Sequence, residues 1–194
     1  MSFIFTWVLA ATALLAPARE HDELAAAIAT QVEAEPPLFK GDDDRRRTSA
    51  LLVAIAFRES SLRAGAVGDR VGGKPTSFCA FQLHLPWGGK THEGWTGADL
   101  VEDPQKCVAA AMRMIRVSMR VCPSAPLAHY AEGPAGCESP RAQRISRDRL
   151  AIAQWLVRGV RVNTAEPAPR ARRASPAAQG QRLADRPRPF CGGA

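Results

Sequence analysis

Eight glycines fall between positions 65 and 97, set between stretches whose apolar residues recur at helical spacing. Glycine gives up more conformational freedom on folding than any other residue, so a run this rich does not become helix. The chain is therefore expected to fold as helices flanking an irregular or weakly β insert. Upstream of the insert, Asp42, Asp43 and Asp44 lead into a helix ending near Arg63, since carboxylates suit the positive end of a helix dipole. In it Leu52, Ile55, Ala56 and Glu59 recur at i, i+3, i+4 and i+7. Downstream, Asp103-Pro104 is an N-cap followed by a proline at the first helical position. Val108, Ala111, Met112, Ile115 and Met119 make the apolar face of that helix, and Arg113, Arg116 and Arg120 point away. Pro123 stops it. A short helix around 125–132, ended by Gly133-Pro134, and a last one over about 141–158 complete the body. Within the insert, residues 76–85 are expected to hold a short strand pair.

Four parts are expected along the chain. Residues 1–18 read as a secretory signal: residues 3–16 are apolar and uncharged, and Ala16-Pro17-Ala18 is a small-x-small cleavage pattern. Cleavage near Ala18 would export the protein to the periplasm or the extracellular space. The same stretch is short for a membrane span, so an uncleaved anchor or a buried first helix is the other reading. Residues 19–40 form a leading amphipathic helix, with Leu24, Ile28 and Val32 on one face and Pro36-Pro37 as its stop. Residues 41–160 are the main body. Residues 161–194 turn to Ala, Pro and Arg, with too few large apolar side chains to build a core, and read as a disordered basic tail. No period of 20–50 residues repeats, which excludes solenoids and propellers.

Twenty-six Lys and Arg against 19 Asp and Glu leave +7. Such a surplus suits an anionic partner, whether nucleic acid, membrane surface or cell-wall polymer. The leader pattern and the absence of a nucleic-acid-binding motif argue against nucleic acid. Five cysteines, at 79, 107, 122, 137 and 191, include no C-x-x-C pair, and no two histidines have helical ligand spacing, so a zinc site is not indicated. In an exported chain they suit disulfides. The first four allow three pairings, of which Cys79–Cys107 with Cys122–Cys137 is preferred, leaving Cys191 unpaired. Free buried thiols are the alternative.

Glu59 does not fit a plain core. It lies on the apolar stripe at the C-terminal end of its helix, where apolar neighbours and the negative end of the dipole both disfavour ionisation. A carboxyl with a raised pKa is what a general acid needs near neutral pH. The alternatives are an ion pair with Arg58 or Arg63, or a side chain turned to solvent.

The words around Glu59 carry a resemblance. Ala56-Phe57-Arg58-Glu59-Ser60-Ser61-Leu62 resembles the E-S-S-(apolar) motif of lytic transglycosylases. Ser77-Phe78-Cys79-Ala80-Phe81-Gln82-Leu83 is similar to that family's G-L-M-Q-(apolar) segment and to the corresponding segment of lysozymes. Pro126-Leu127-Ala128-His129-Tyr130-Ala131-Glu132-Gly133 resembles its A-x-x-x-Y-N-x-G motif. The three stand in the family's order across roughly residues 48–157. The resemblance is to a divergent member of the lysozyme-like superfamily, of the soluble lytic transglycosylase type. It implies a mainly α, lysozyme-like two-lobed fold with a small irregular or β lobe and a cleft between the lobes.

The resemblance also implies roles. Glu59 takes the place of the catalytic acid. Gln82 would line the cleft and hydrogen-bond sugar, with Ser77 and Phe81 of the same segment beside it. Tyr130 would point its hydroxyl at the catalytic carboxyl, and Ser60 would cap or brace the helix end. Two positions depart from the pattern: Cys79 replaces a glycine, and Ala131 replaces an asparagine. Ser77 stands where a lysozyme's second carboxylate would be, and neither Asp69 nor Glu93 is clearly placed to substitute for it. A site with one carboxylate suits a lytic transglycosylase, which closes the 6-hydroxyl of N-acetylmuramic acid onto its own anomeric carbon without water. A hydrolytic lysozyme and a catalytically weak wall-binding or assembly protein are the alternatives. The expected partner is the peptidoglycan glycan strand, with anionic wall polymers touched by the tail, and the protein is expected to act as a monomer. No metal or organic cofactor is implied. Trp87 and Trp95 either stack on sugar or simply pack the small lobe; His84 and His92 are read as non-catalytic.

Overall fold

Helix α3 (Asp44–Ser60) organises the molecule. All seven residues from Ala50 to Ala56 are fully buried, so this helix is enclosed on every side rather than along one stripe. An element apolar all round has to be walled in by others. Three helices supply the walls: α1 (Phe3–Leu15), α2 (Asp22–Ala34) and α7 (Pro140–Gly159). The structure, a computed structural model, describes residues 2–85 and 88–162. Trp87, Cys191 and the tail from 163 onward lie outside the described residues, and with them the expectations of a stacking ring and a disordered tail.

The α2 stripe is the one its spacing predicts: Leu24, Ile28 and Val32 are all buried. Helix α1 is the stretch expected to be a leader. Here it is a packed element, with Trp7, Val8 and Ala11 buried against α2 and α3. The physical reason is the demand of α3 for cover.

After α3 the chain enters the small lobe. Strands β1 (Val67–Val71), β2 (Lys74–Phe78) and β3 (Leu83–His84) form an antiparallel sheet in that order. Val67 pairs with Phe78, Gly68 with Ser77, and Ser77 with His84. The sheet begins earlier than the expected 76–85 strand pair. Its first hairpin turns on Gly72-Gly73, both at positive φ, the two-residue connection whose twist matches paired strands. Helix α4 (Gly97–Glu102) opens with a reciprocal capping box between Thr96 and Asp99. Helix α5 (Pro104–Val121) begins where Asp103-Pro104 places it, the Asp103 carboxylate accepting from the Gln105 and Lys106 N–H groups. Helix α6 (Ala128–Glu132), a 3-10 turn (Gly133–Cys137) and α7, capped by Ser139, bring the chain back along α3. The fold is mainly α with a small β lobe.

Two disulfides join Cys79 to Cys107 and Cys122 to Cys137, the preferred one of the three pairings. The first ties the β lobe to the start of α5; the second staples the end of α5 to the turn before α7. No described helix is long and apolar enough to cross a membrane.

Candidate functional site

Helix α3 stops one residue after Glu59. Ser61 and Leu62 both adopt left-handed backbone, at φ 54° and 64°. Their N–H groups reach back to the carbonyls of Phe57 and Ala56, closing the helix as a glycine usually would. Ser60 braces this end: its hydroxyl donates to the Ala56 carbonyl at 3.1 Å and accepts from the Arg63 N–H at 3.1 Å. Two consecutive non-glycine residues in this region are strained, and such strain collects at functional sites. The break fixes Glu59 in the last turn, at the entrance to the β lobe.

The Glu59 side chain is 20% exposed. Its partner is neither Arg58 nor Arg63. Arg58 pairs with Asp148 at 2.6 Å, and Arg63 turns back to the Ser60 carbonyl. Glu59 instead accepts from Nη2 of Arg149, which reaches across from α7. Burial is the strongest influence on the carboxyl and raises its pKa; the charge and hydrogen bond of Arg149 oppose this, and the negative charge of Asp69 adds to it. The net direction is upward. A raised pKa is the direction a general acid requires.

Arg149 was legible only in part. It stands four residues before Ala153 and seven before Leu156, both buried, so it is a lone cation on the inward stripe of its helix. Asp69, on β1, accepts from the Ser77 hydroxyl at 2.8 Å. Ser77 is therefore buried and engaged, positioning an acid from the neighbouring strand rather than facing an open cleft. Of the two acidic residues not clearly placed by the sequence, Asp69 is the one whose charge reaches Glu59, as the least of the influences on it.

Three further expectations are corrected. The Tyr130 hydroxyl does not hold the carboxyl; it donates to the Phe81 carbonyl at 2.6 Å, pinning α6 to the β lobe. Its ring lies under the Arg149 guanidinium, 5.7 Å from centroid to carbon, and burial first, then the Glu59 charge, hold the hydroxyl protonated. Phe81 is fully buried, so its ring is core and offers nothing to a ligand. Gln82 is folded back: its Nε2 donates to the Cys79 carbonyl at 3.0 Å, and its side-chain oxygen lies so close to Gly68 that a Cβ there would collide with it. Its backbone is left-handed, at φ 46°. Cys79 too is left-handed, at φ 61°, a conformation glycine adopts more readily, taken here by a disulfide-bonded cysteine.

On the far side of Tyr130 a cavity of about 590 Å³ is lined by His84, His92, Arg113, Met114 and His129. Trp95 is partly buried against the core and lines a neighbouring groove with Arg113, Arg116 and Arg120. No cluster of metal-ligating side chains occurs among the described residues. Replacing Tyr130 by Phe leaves the Phe81 carbonyl unpaired in a buried place, and is expected to destabilise the fold by about 1–2 kcal/mol in urea unfolding with helix content unchanged. No protein-family model, curated protein or solved structure matches this chain.

Proposed function

We infer that this protein is a peptidoglycan lytic transglycosylase cleaving the bond between N-acetylmuramic acid and N-acetylglucosamine. The observation that carries this reading is Glu59: a carboxyl with its pKa raised by burial, held at a strained helix end where the helical and β lobes meet. Protonated Glu59 gives its proton to the glycosidic oxygen as the C1–O bond breaks. The resulting carboxylate takes the proton from the muramyl 6-hydroxyl, whose oxygen then bonds to C1. The proton count closes, no water is consumed, and the product is a 1,6-anhydro ring. Holding the 6-hydroxyl beside C1 supplies the proximity that a second nucleophile would otherwise provide.

One observation favours a second reading. Asp69, an exposed residue of β1 that accepts from the Ser77 hydroxyl, is a second carboxyl in the β lobe, and its charge is the least of the influences on Glu59. A pair of carboxyls flanking the bond is the arrangement of hydrolytic glycosidases. Export fits both readings: two disulfides form where the surroundings are oxidising, and residues 1–18 carry the leader pattern.

Mass spectrometry of the muropeptides released from purified peptidoglycan tests the choice. The expected products are anhydro-muramyl species, lighter by one water than hydrolysis products and absent with Glu59→Gln. Reducing-end products that vanish with Asp69→Asn would replace the transglycosylase with a lysozyme. Binding to the wall with no product would remove the enzyme reading.

A further inference from the structure

The reading just given leaves an electrostatic problem at Arg149, and its solution names a feature of the substrate. The inference rests on the transglycosylase reading. Arg149 is 7% exposed. One of its nitrogens serves Glu59, its face covers the Tyr130 ring, and Nε and Nη1 are buried with no hydrogen-bond partner. The titratable and charged groups facing Glu59 are Arg149 from α7, Tyr130 from α6 and Asp69 from β1. Among the described residues, Glu59 is the acidic group bonded to the guanidinium. Arginine stays charged in proteins. If Glu59 takes up the proton that a general acid must carry, Arg149 is left as a buried cation without a counter-charge, the most unfavourable state of a broken buried pair. Burial draws Glu59 toward its protonated form while Arg149 opposes it, so an anion that relieved Arg149 would let Glu59 keep its proton.

We propose that Arg149 is an anion receptor, and that a carboxylate carried by the glycan strand beside the scissile bond replaces Glu59 on its guanidinium. Glu59 is the more exposed partner, at 20% against 9%, so an incoming carboxylate meets the pair at its end. A planar guanidinium suits a carboxylate bidentately: once Glu59 is displaced, Nη2 can bind it together with Nε or with Nη1, both idle. Glu59, freed from the pair, then takes a proton from solvent and becomes the acid. The substrate class that meets this demand is a muramyl glycan whose lactyl group, or the peptide on it, bears a free carboxylate. A neutral chitin-like strand does not meet it.

The test compares two glycans. Amidase-stripped strands bear a free lactyl carboxylate on every muramyl residue; the same strands coupled to methylamine with carbodiimide are neutral. Wild-type full-length protein is expected to bind the acidic strands at least 10-fold more tightly, by titration calorimetry, and to cleave them with at least 10-fold higher kcat/KM. In Arg149→Met both ratios are expected to fall to within about 2-fold of one, while the basic limb of the kcat/KM profile moves to higher pH because nothing then favours the Glu59 carboxylate. Arg149→Lys, charged but without the fork, is expected to keep part of the preference. Equal wild-type binding of the two strands overturns the receptor, whether or not Arg149→Met folds. So does a preference that survives in folded Arg149→Met. A preference in binding that depends on Arg149, with no cleavage of either strand, would uphold the receptor and overturn the transglycosylase.

Discussion

Glu59→Gln is expected to abolish muropeptide release and to destabilise the protein, for two separable reasons. The amide cannot donate or accept the catalytic proton. Loss of a positioned acid–base group typically slows a reaction by about 10²–10⁴, and in the proposed reaction one carboxyl serves both steps, so the upper end is expected. The second reason is Arg149. The amide also removes the counter-charge bonded to a guanidinium that is 9% exposed. Losing one partner of a fully favourable buried pair costs about 3–5 kcal/mol; here burial already disfavours the Glu59 charge, so a smaller loss is expected. Glu59→Gln combined with Arg149→Met removes both charges and is expected to recover most of the stability while remaining inactive. Chemical unfolding of the two variants, beside a release assay, separates the effects. If Glu59→Gln is as stable as wild type, the ion pair is not the structural feature described here. If it still releases muropeptides at the wild-type rate, Glu59 is not the acid.

The Cys79–Cys107 bridge is the second large effect. It closes a 28-residue separation, and Cys122–Cys137 closes one of 15. In chain-entropy terms loops of these sizes are worth about 3–4 kcal/mol and about 3 kcal/mol. Cys79→Ala with Cys107→Ala is therefore expected to lower unfolding stability by about 3–4 kcal/mol, somewhat more than the corresponding change at Cys122 and Cys137. The functional consequence should be more unequal. Cys79 is left-handed, its carbonyl holds the Gln82 amide, and the neighbouring Phe81 carbonyl holds Tyr130. Without its bridge, Cys79's segment has no covalent reason to keep a conformation that costs a non-glycine residue roughly 1 kcal/mol or more. Far-UV circular dichroism is expected to stay near wild type while muropeptide release falls. Equal loss of release in both bridge variants would show that the β-lobe staple has no special part in the site.

Most of the helical frame was readable because each helix announces itself in a local way. Asp103-Pro104 sets the start of α5, and the Leu24, Ile28, Val32 stripe sets the buried face of α2. The small lobe was less legible because its signals are turns rather than periods. Gly72-Gly73 between short alternating runs is a hairpin signature, and Thr96 three residues before Asp99 is a capping box, yet both sit inside a stretch whose glycines read as irregular. The site divides in the same way. Position and apolar surroundings pick out Glu59 from one helix alone. Its pairing with Arg149 spans 90 residues, and the Tyr130 bond to Phe81 spans 49, so neither follows from spacing. Phe81 and Gln82 were misjudged for one reason: a motif says which residues gather near a cleft, not which side chains turn inward to hold its wall.

If residues 1–18 serve as the leader their pattern suggests, helix α1 has two incompatible uses for the same side chains. Trp7, Val8 and Ala11 lie in the core, and an export leader must present its apolar stretch to the translocation machinery. A precursor that folded in the cytosol would hide its own address label, so productive export demands that folding lag behind capture. Cutting after Ala18 would then leave a trough along α2 and α3 where α1 had lain, a few residues from Arg19, whose side chain hydrogen-bonds the Ser61 carbonyl at 3.1 Å. The mature chain would close that trough by moving α2 inward or by filling it with a neighbour. Either rearrangement would reach, through the Arg19 hydrogen bond, the turn that ends the Glu59 helix, so leader removal, where it occurs, would act on the site as well as on the address.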